Sequence, residues 1–153
     1  MMITENKKAL HEYKILEKWQ AGIKLTGPEV KAVKMGRIDL RGSYLGISIN
    51  PKNNIPETWL IGANIAKYPK SGYSQKNYDS LRKRKILLNR KEINSILGKI
   101  NQKGLTVIPI LVYTSQRLVK VEIALVQGKR KFDKREELKK RDFQKRKQTM
   151  VKN

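Results

Sequence analysis

The stretch LTVIPILVYTSQRLVKVEIALVQ, residues 105–127, decides the fold of this chain. It predicts two strands, 105–114 and 118–127, that turn at Ser115-Gln116-Arg117. In the second strand every other residue from 119 to 125 is apolar, and Lys120 and Glu122 lie between them. This alternation is typical of a strand with one face on the core and the other in water. The stretch therefore predicts an antiparallel hairpin with one wet face.

Two earlier regions also show strand patterns. Residues 11–25 alternate apolar and polar side chains around Ala21-Gly22, which predicts two short strands joined by a turn at that point. Residues 43–66 predict a second hairpin, because two apolar runs flank the turn-forming sequence NPKNN. The connecting segments are interpreted as a loose lead-in over residues 1–8 and a long surface loop over residues 67–81.

Two helices are expected between the strands. A short one covers residues 28–35, with a proline in its first turn, and Gly36 ends it. A longer one begins after Asn89, which forms a capping box with Glu92, and extends to about residue 103. Its apolar stripe repeats at helical spacing between residues 93 and 100, which predicts that one side packs on the core.

These elements add up to a mostly β fold with helices. About six antiparallel strands over residues 1–127 favour a small closed or partly closed β-barrel, because closure removes exposed strand edges. The high positive charge makes an oligonucleotide-binding (OB-like) barrel the preferred form of it. We therefore expect one domain over residues 1–127 and an appendage over residues 128–153.

The appendage is a strongly basic C-terminal tail. Residues 128–153 contain twelve Lys or Arg and four Asp or Glu, a net charge of +8 out of +22 for the whole chain. Their few apolar residues are scattered, so the tail cannot bury enough surface alone and is expected to be disordered in the free protein. Such a cationic tail is typical of a protein that binds a polyanion.

Composition limits the other function classes. The chain has no cysteine, which fits a reducing compartment such as the cytoplasm. We expect no membrane span, since no apolar run approaches the ~20 residues that one requires. The only histidine is His11, and a lone histidine is more often a packing or hydrogen-bonding residue than a catalytic one. No nucleophile elbow, phosphate-binding loop or metal-ligand cluster is present in the sequence, so we expect neither an enzyme nor a cofactor.

Basic residues form four clusters along the chain. They lie at residues 6–8, at 31–37, in RKRK at 82–85, and at the start of the tail. Single charges of this kind usually belong to a solvated face, but four clusters and a net charge of +22 favour binding to nucleic acid phosphates. Tyrosines at 68, 73 and 78 and Phe132 lie among them, and aromatic rings can stack on bases.

Five stretches together resemble the SsrA-binding protein (SmpB) family. They are NKKALHEY at 6–13, AGIKLTGPEVK at 21–31, DSLRKRKILL at 79–88, GLTVIP at 104–109 and GKRKFDKR at 128–135. The resemblance covers nearly the whole chain, in order and at the family's spacing. It implies an OB-like barrel that binds the tRNA-like part of transfer-messenger RNA (tmRNA). It also implies a non-enzymatic role in trans-translation on stalled ribosomes, in which the tail becomes helical in the vacant mRNA channel.

The basic clusters and the resemblance together give the candidate site. The expected partners are tmRNA, bound by a monomer, and the ribosome. A ribosomal or other structural RNA-binding protein is the alternative, because it would share the charge. RNA contacts are expected from Asn6, Lys7, Lys8, His11, Lys31, Lys34, Arg82, Arg84 and Lys85. Ribosomal contacts are expected from Lys129, Lys131, Asp133, Lys134 and Arg135 in the tail.

Overall fold

A computed structural model describes residues 1–70 and 77–128. In these residues nine strands and three helices follow one another along the chain. The strands are β1 (Met2–Glu5), β2 (Tyr13–Ile23), β3 (Ile38–Asp39), β4 (Tyr44–Ile49), β5 (Pro56–Ile61), β6 (Asn64–Ile65), β7 (Arg84–Leu87), β8 (Leu105–Ser115) and β9 (Leu118–Gly128). The helices are α1 (Lys7–Glu12), α2 (Gly27–Lys34) and α3 (Arg90–Ile100).

The strands form one large antiparallel sheet and one small one. Seven strands follow the order β1-β8-β9-β2-β7-β5-β4, and β3 pairs with β6 separately. The mostly β fold with helices and an antiparallel sheet is therefore confirmed. The hydrogen-bonded ladder of the described residues does not close on itself, since β1 and β4 are its two edges. The large sheet is thus an open one in its hydrogen bonding, whereas a closed or partly closed barrel was expected.

The hairpin of β8 and β9 confirms the prediction from residues 105–127. Ser115 pairs with Leu118, so Gln116 and Arg117 alone form the turn. Both have positive φ, 50° and 68°, as a two-residue turn that matches the twist of its strands requires. The face of β9 that was predicted to be solvent-exposed is exposed only in part. Ala124 and Val126 on that face pack with Ala9 of α1 in a second, smaller apolar cluster.

The main core lies between the sheet and the other two helices. Leu60, Ile86 and Ile123 from the sheet pack with Val33 of α2 and Ile96 of α3, and all five side chains are almost fully buried. The helix α3 begins after the predicted capping box of Asn89 and Glu92. The helix α2 begins at Gly27, one residue before its predicted start, and its capping box of Thr26 and Glu29 was not predicted. The helix α3 ends at Ile100, three residues before the predicted end.

Two local predictions near the sheet were wrong, and one strand was not predicted. Residues 1–8 are not a loose lead-in, since β1 pairs with β8 and α1 starts at Lys7. Ala21-Gly22 is not a turn, because β2 continues through it and Gly22 pairs with both Lys120 and Leu87. The strand β7 was not assigned at all, yet it joins β2 to β5 and so completes the sheet.

Candidate nucleic-acid interface

The helix α1 presents three of the predicted RNA-binding residues. Lys7, Lys8 and His11 are exposed on it. Asn6 is 5% exposed and is its N-cap, with Oδ1 accepting a hydrogen bond from the Ala9 N–H at 3.3 Å. Because that bond satisfies an otherwise free N–H of the first turn, Asn6 fixes where the helix starts.

Asn6 also attaches α1 to the sheet. Its Nδ2 donates to the carbonyl oxygen of Pro109 at 3.1 Å and of Leu40 at 3.4 Å. Its backbone N–H donates to the Ile110 carbonyl oxygen at 2.8 Å. Asn6 therefore supports the exposed lysines from beneath, and little of its own surface is available to a ligand.

We expect Asn6→Ala to lower the free energy of unfolding by about 1–3 kcal/mol, since the substitution removes a helix cap and leaves the Pro109 carbonyl without its donor. Urea denaturation at neutral pH measures the change. Asn6→Ser is the matched control: it keeps a neutral side-chain acceptor for the Ala9 N–H, lacks the Nδ2 donor, and should lose less. A fully stable Asn6→Ala protein would contradict the role of Asn6 as the attachment of α1.

A surface depression separates α1 from the turn that precedes β4. Lys8 and Asn6 line one side, and Arg41 and Tyr44 line the other. Arg41 donates two hydrogen bonds to the carboxylate of Asp39, from Nη2 to Oδ2 at 2.7 Å and from Nε to Oδ1 at 3.1 Å. These hydrogen bonds lower the pKa of Asp39. Arg41 is an exposed cation that sequence reasoning missed, because it stands outside the four basic clusters.

A buried carboxylate organises the second group of predicted residues. Glu29 of α2 is fully buried, and Arg84 of β7, also fully buried, places Nε 2.8 Å and Nη2 2.7 Å from its Oε2. Arg82 forms a second ion pair with Oε1. The Thr26 N–H donates to Oε1 at 3.0 Å, which completes the capping box of α2.

The remaining hydrogen-bonding capacity of Arg84 is also used inside the protein. Its Nη1 donates to the carbonyl oxygens of Ala63 and Ser80 at 2.9 and 3.0 Å. Its Nη2 donates to the hydroxyl of Tyr78 at 2.9 Å, and that hydroxyl donates to the Ile65 carbonyl oxygen at 2.8 Å. Arg84 was predicted to touch RNA, but the structure places it as an internal connector of α2, β7 and the segment around Tyr78.

The pKa of Glu29 reflects these contacts. Burial raises it, but the hydrogen bonds from the Thr26 backbone, Arg84 and Arg82 outweigh burial and lower it from 4.5 to about 2. Glu29 is therefore ionised at neutral pH and compensates the buried charge of Arg84. Burial raises the pKa of Tyr78, so its hydroxyl remains protonated and can donate.

The other predicted cations of this group lie at the surface. Lys31 and Lys34 are exposed on α2, and Lys31 Nζ lies 5.6 Å from the ring centroid of Tyr68. Arg82 and Lys85 line a shallow depression together with Lys24 and Trp59. The structure thus divides the predicted residues into one group on α1 and another around α2 and β7.

Few of these cations are neutralised. Among the described residues, Lys7, Lys8, Lys31 and Lys34 form no ion pair, whereas Arg82 pairs with Glu29 and Lys85 lies 4.0 Å from Glu57. Unpaired exposed cations raise the positive potential of a surface and attract polyanions. The described part of the chain therefore presents unpaired positive charge in both groups of residues.

Some predictions fall outside the described residues. All five tail residues of the candidate site lie there, from Lys129 to Arg135, as do Tyr73 and Phe132. Within residues 1–70 and 77–128, no three His, Cys, Asp or Glu side chains come together as a metal site would require. No helix of those same ranges combines the length and the apolar surface that crossing a membrane demands.

Comparison with known proteins gives a consistent result. The model of the SmpB protein family matches residues 3–153. An SsrA-binding protein of Gloeothece citriformis is 48% identical over 140 residues, which are 92% of this chain and 86% of the relative. One from a Nostoc species is 43% identical over 152 residues, 99% of this chain and 94% of the relative.

A solved structure agrees with these relatives. It is described as "tmRNA-SmpB: a journey to the center of the bacterial ribosome", and one of its chains superposes with a TM-score of 0.66 at 40% identity, covering 87% of this chain and 92% of that one. The family-model match over residues 3–153 includes nearly all of the sheet, the candidate residues of both groups and the basic tail. On its sequence and its fold, the chain belongs to the SmpB protein family.

Proposed function

We propose that this protein binds the tRNA-like part of tmRNA and delivers it to the A site of stalled ribosomes, where trans-translation tags the incomplete peptide and releases the ribosome. The observation that carries the proposal is the family match over residues 3–153, with a solved relative described as tmRNA-SmpB in the bacterial ribosome. The unpaired cations of the interface support it, because they provide the charge that an RNA backbone requires.

The RNA-facing residues of the proposal are those at the surface. On α1 they are Lys7, Lys8 and His11, and around α2 and β7 they are Lys31, Lys34, Arg82 and Lys85. Asn6 and Arg84 act from inside, by attaching α1 to β8 and by joining β7 to α2. A phosphate contact with a buried guanidinium would require the ion pair with Glu29 to break, which is costly.

We also propose that the large sheet curls into a partly closed barrel of the oligonucleotide-binding type. Its last strand, β4, lies in contact with β8, which is next to the opposite edge. This proximity supports the proposal, because a flat sheet of seven strands would hold these two strands far apart.

The tail has a separate part in the proposal. The predicted tail of residues 128–153 is shortened by one residue, because Gly128 is the last residue of β9. Residues 129–153 form an appendage that is disordered when free and becomes helical in the empty mRNA channel, with ribosomal contacts from Lys129, Lys131, Asp133, Lys134 and Arg135. Glu136 with Lys140, and Glu137 with Arg141, are acid-to-base pairs at helical spacing, which favour a helix once phosphates screen the positive charge. An mRNA already in the channel would exclude the tail, so the tail reports a vacant channel.

The protein itself catalyses no reaction in this proposal. The protein is a non-enzymatic adaptor that acts as a monomer in the cytoplasm, where ribosomes are found, and peptide-bond formation is left to the ribosome. The alternative is a ribosomal or other structural RNA-binding protein. It shares the charge, but it predicts no preference for a tRNA-like RNA.

A gel-shift competition tests the proposal. We expect ordinary tRNA to displace the labelled tRNA-like domain of tmRNA only at concentrations more than about tenfold higher, a difference of ~1.4 kcal/mol. A fragment of ribosomal RNA should compete no better than tRNA. Equal competition by all three RNAs would favour the alternative and contradict the proposed function.

The same assay, repeated over a range of salt concentrations, tests the electrostatic part. Loss of one phosphate contact in Lys8→Ala should flatten the slope of log affinity against log salt by ~0.7–0.9. Lys52→Ala is the matched control, because Lys52 is also an exposed lysine, lies on the turn between β4 and β5 and lines neither depression. Identical slopes for the two variants would show that Lys8 does not contact a phosphate.

A further inference from the structure

We propose that the depression between β2, β5 and β7 binds one unstacked nucleotide of the tRNA-like RNA, with its base against Trp59 and its phosphate held by the surrounding lysines. The inference rests on the proposed function, since that function supplies the RNA. It adds a subsite and three residues, Trp59, Lys24 and Lys83, that are not among the candidate site residues predicted from the sequence.

Strand register brings the depression together. Trp59 of β5 pairs directly with Lys85 of β7, and the backbone N–H of Lys24, just past β2, donates to the Lys85 carbonyl oxygen at 2.9 Å. Thr58 and Leu60 are 1% and 0% exposed, so their side chains point into the core. Because side chains alternate along a strand, Trp59 between them points to the outer face, where Leu25 and Thr26 also line the depression.

The indole ring of Trp59 is oriented and accessible. Its Nε1 donates to Ser48 Oγ at 2.9 Å, which fixes the ring plane on the sheet. Lys83 Nζ lies 4.7 Å from the ring centroid, so a flexible side chain covers this face rather than a packed apolar group. A nucleobase can take the place of that ammonium group on the ring, and Lys83 is then free to meet a phosphate.

The charge of the depression suits a nucleotide. Lys24, Arg82, Lys83 and Lys85 surround the ring. Two acids approach these cations: Glu57 lies 4.0 Å from Lys85, and Glu29 is buried and shared by Arg82 and Arg84. Two of the cations, Lys24 and Lys83, are therefore available to a phosphate among the described residues.

An aromatic ring beside cations is the combination that recognises unstacked bases in RNA. A base inside a double helix already has a stacking partner on each side and cannot reach the ring. Single-stranded loops of a tRNA-like fold present bases that are free to do so, which is why we assign one such nucleotide to the depression.

Fluorescence of the two tryptophans tests the assignment. Trp19→Phe leaves Trp59 as the only indole, and Trp59→Phe leaves Trp19, which is buried in the core. We expect saturation with the tRNA-like RNA to quench the emission of Trp19→Phe and to leave that of Trp59→Phe nearly unchanged. Anisotropy of labelled RNA confirms saturation in the same samples. Unchanged Trp59 emission with RNA bound overturns the subsite alone, whereas failure of the wild type to bind RNA overturns the proposed function.

Two further experiments test which RNA supplies the nucleotide and how much the stacked base contributes to affinity. Quenching by a decoding-region fragment of ribosomal RNA, but not by the tRNA-like RNA, would overturn the assignment to tmRNA. Trp59→Leu should weaken binding of the tRNA-like RNA by about five- to a hundredfold, the range expected for one stacked base. Circular dichroism checks that this variant folds. A folded Trp59→Leu protein with wild-type affinity would contradict the proposal, as would equal quenching of both single-tryptophan proteins.

Discussion

Removal of residues 129–153 is expected to abolish peptide tagging on stalled ribosomes while most of the affinity for tmRNA remains. Residues 129–153 have a net charge of +8, so residues 1–128 keep +14 of the total of +22. Every candidate RNA-contacting residue lies in that larger part. The loss of tagging follows because, in our proposal, only the tail can sense a vacant mRNA channel.

The structure determines where the truncation should begin. Gly128 is the last residue of β9 and pairs with Tyr13 at the start of β2. A stop codon after Gly128 therefore leaves every described strand pair intact. Truncation one residue earlier would also remove the last pair between β9 and β2. Its effect on folding could then not be distinguished from the effect of losing the tail.

Two measurements separate the functions of body and tail. Gel shifts give the affinity for the tRNA-like RNA, and translation of an mRNA without a stop codon in a cell-free system gives the yield of tagged peptide. A variant with residues 129–153 in scrambled order is the matched control, because it keeps the charge of +8. It should restore the small loss of affinity and leave tagging absent. If affinity and tagging disappear together on truncation, body and tail are not separable; if the scrambled tail restores tagging, charge alone is sufficient.

The parts of the fold that sequence predicted are those with local causes. The hairpin of β8 and β9 shows a long alternation and a short turn, and the capping box of α3 depends on two residues three positions apart. The strand β2 was missed as one strand because Ala21-Gly22 resembles a turn. Pairing with a strand on each side overrides that local preference, and Leu87 packs 3.3 Å from where a Cβ of Gly22 would lie.

The residues of the candidate site also differ in how well the sequence could predict their positions. Exposed lysines on α1 and α2 could be predicted, because a charge with no buried partner stays in water. The positions of Asn6 and Arg84 could not, since each depends on partners far along the chain: Pro109 for Asn6 and Glu29 for Arg84. The strand β7 could not be predicted for the same reason. Its buried Arg84 depends on Glu29 and interrupts the apolar pattern that usually marks a strand.

Glu29→Gln is expected to lower the free energy of unfolding by about 3–5 kcal/mol, because it leaves the buried charge of Arg84 without its counterion. That is a large share of the ~5–15 kcal/mol that stabilises a typical domain. Urea denaturation at neutral pH measures the change. Glu122→Gln is the matched control, since Glu122 pairs with the exposed Lys18 at 3.5 Å, and its loss should cost about 0–1 kcal/mol.

A double-mutant cycle distinguishes the ion pair from the packing of its side chains. Arg84→Met alone leaves Glu29 with a buried charge and should also destabilise the protein strongly. The double variant, Glu29→Gln with Arg84→Met, removes both charges and should be more stable than the sum of the two single losses predicts. Additive losses would contradict a direct coupling between Glu29 and Arg84.

The pH dependence gives an independent test of the same pair. Glu29 has a folded pKa of about 2 against an ordinary value of 4.5, so the unfolded chain binds the extra proton between these values. The contribution of the ionised carboxylate, on the order of 3 kcal/mol, is complete above pH 4.5 and is lost as the pH falls toward 2. The stability difference between wild type and Glu29→Gln should therefore shrink over that window. Other carboxylates titrate in both proteins and cancel, so a difference that stays constant with pH would show that ionised Glu29 does not stabilise the fold.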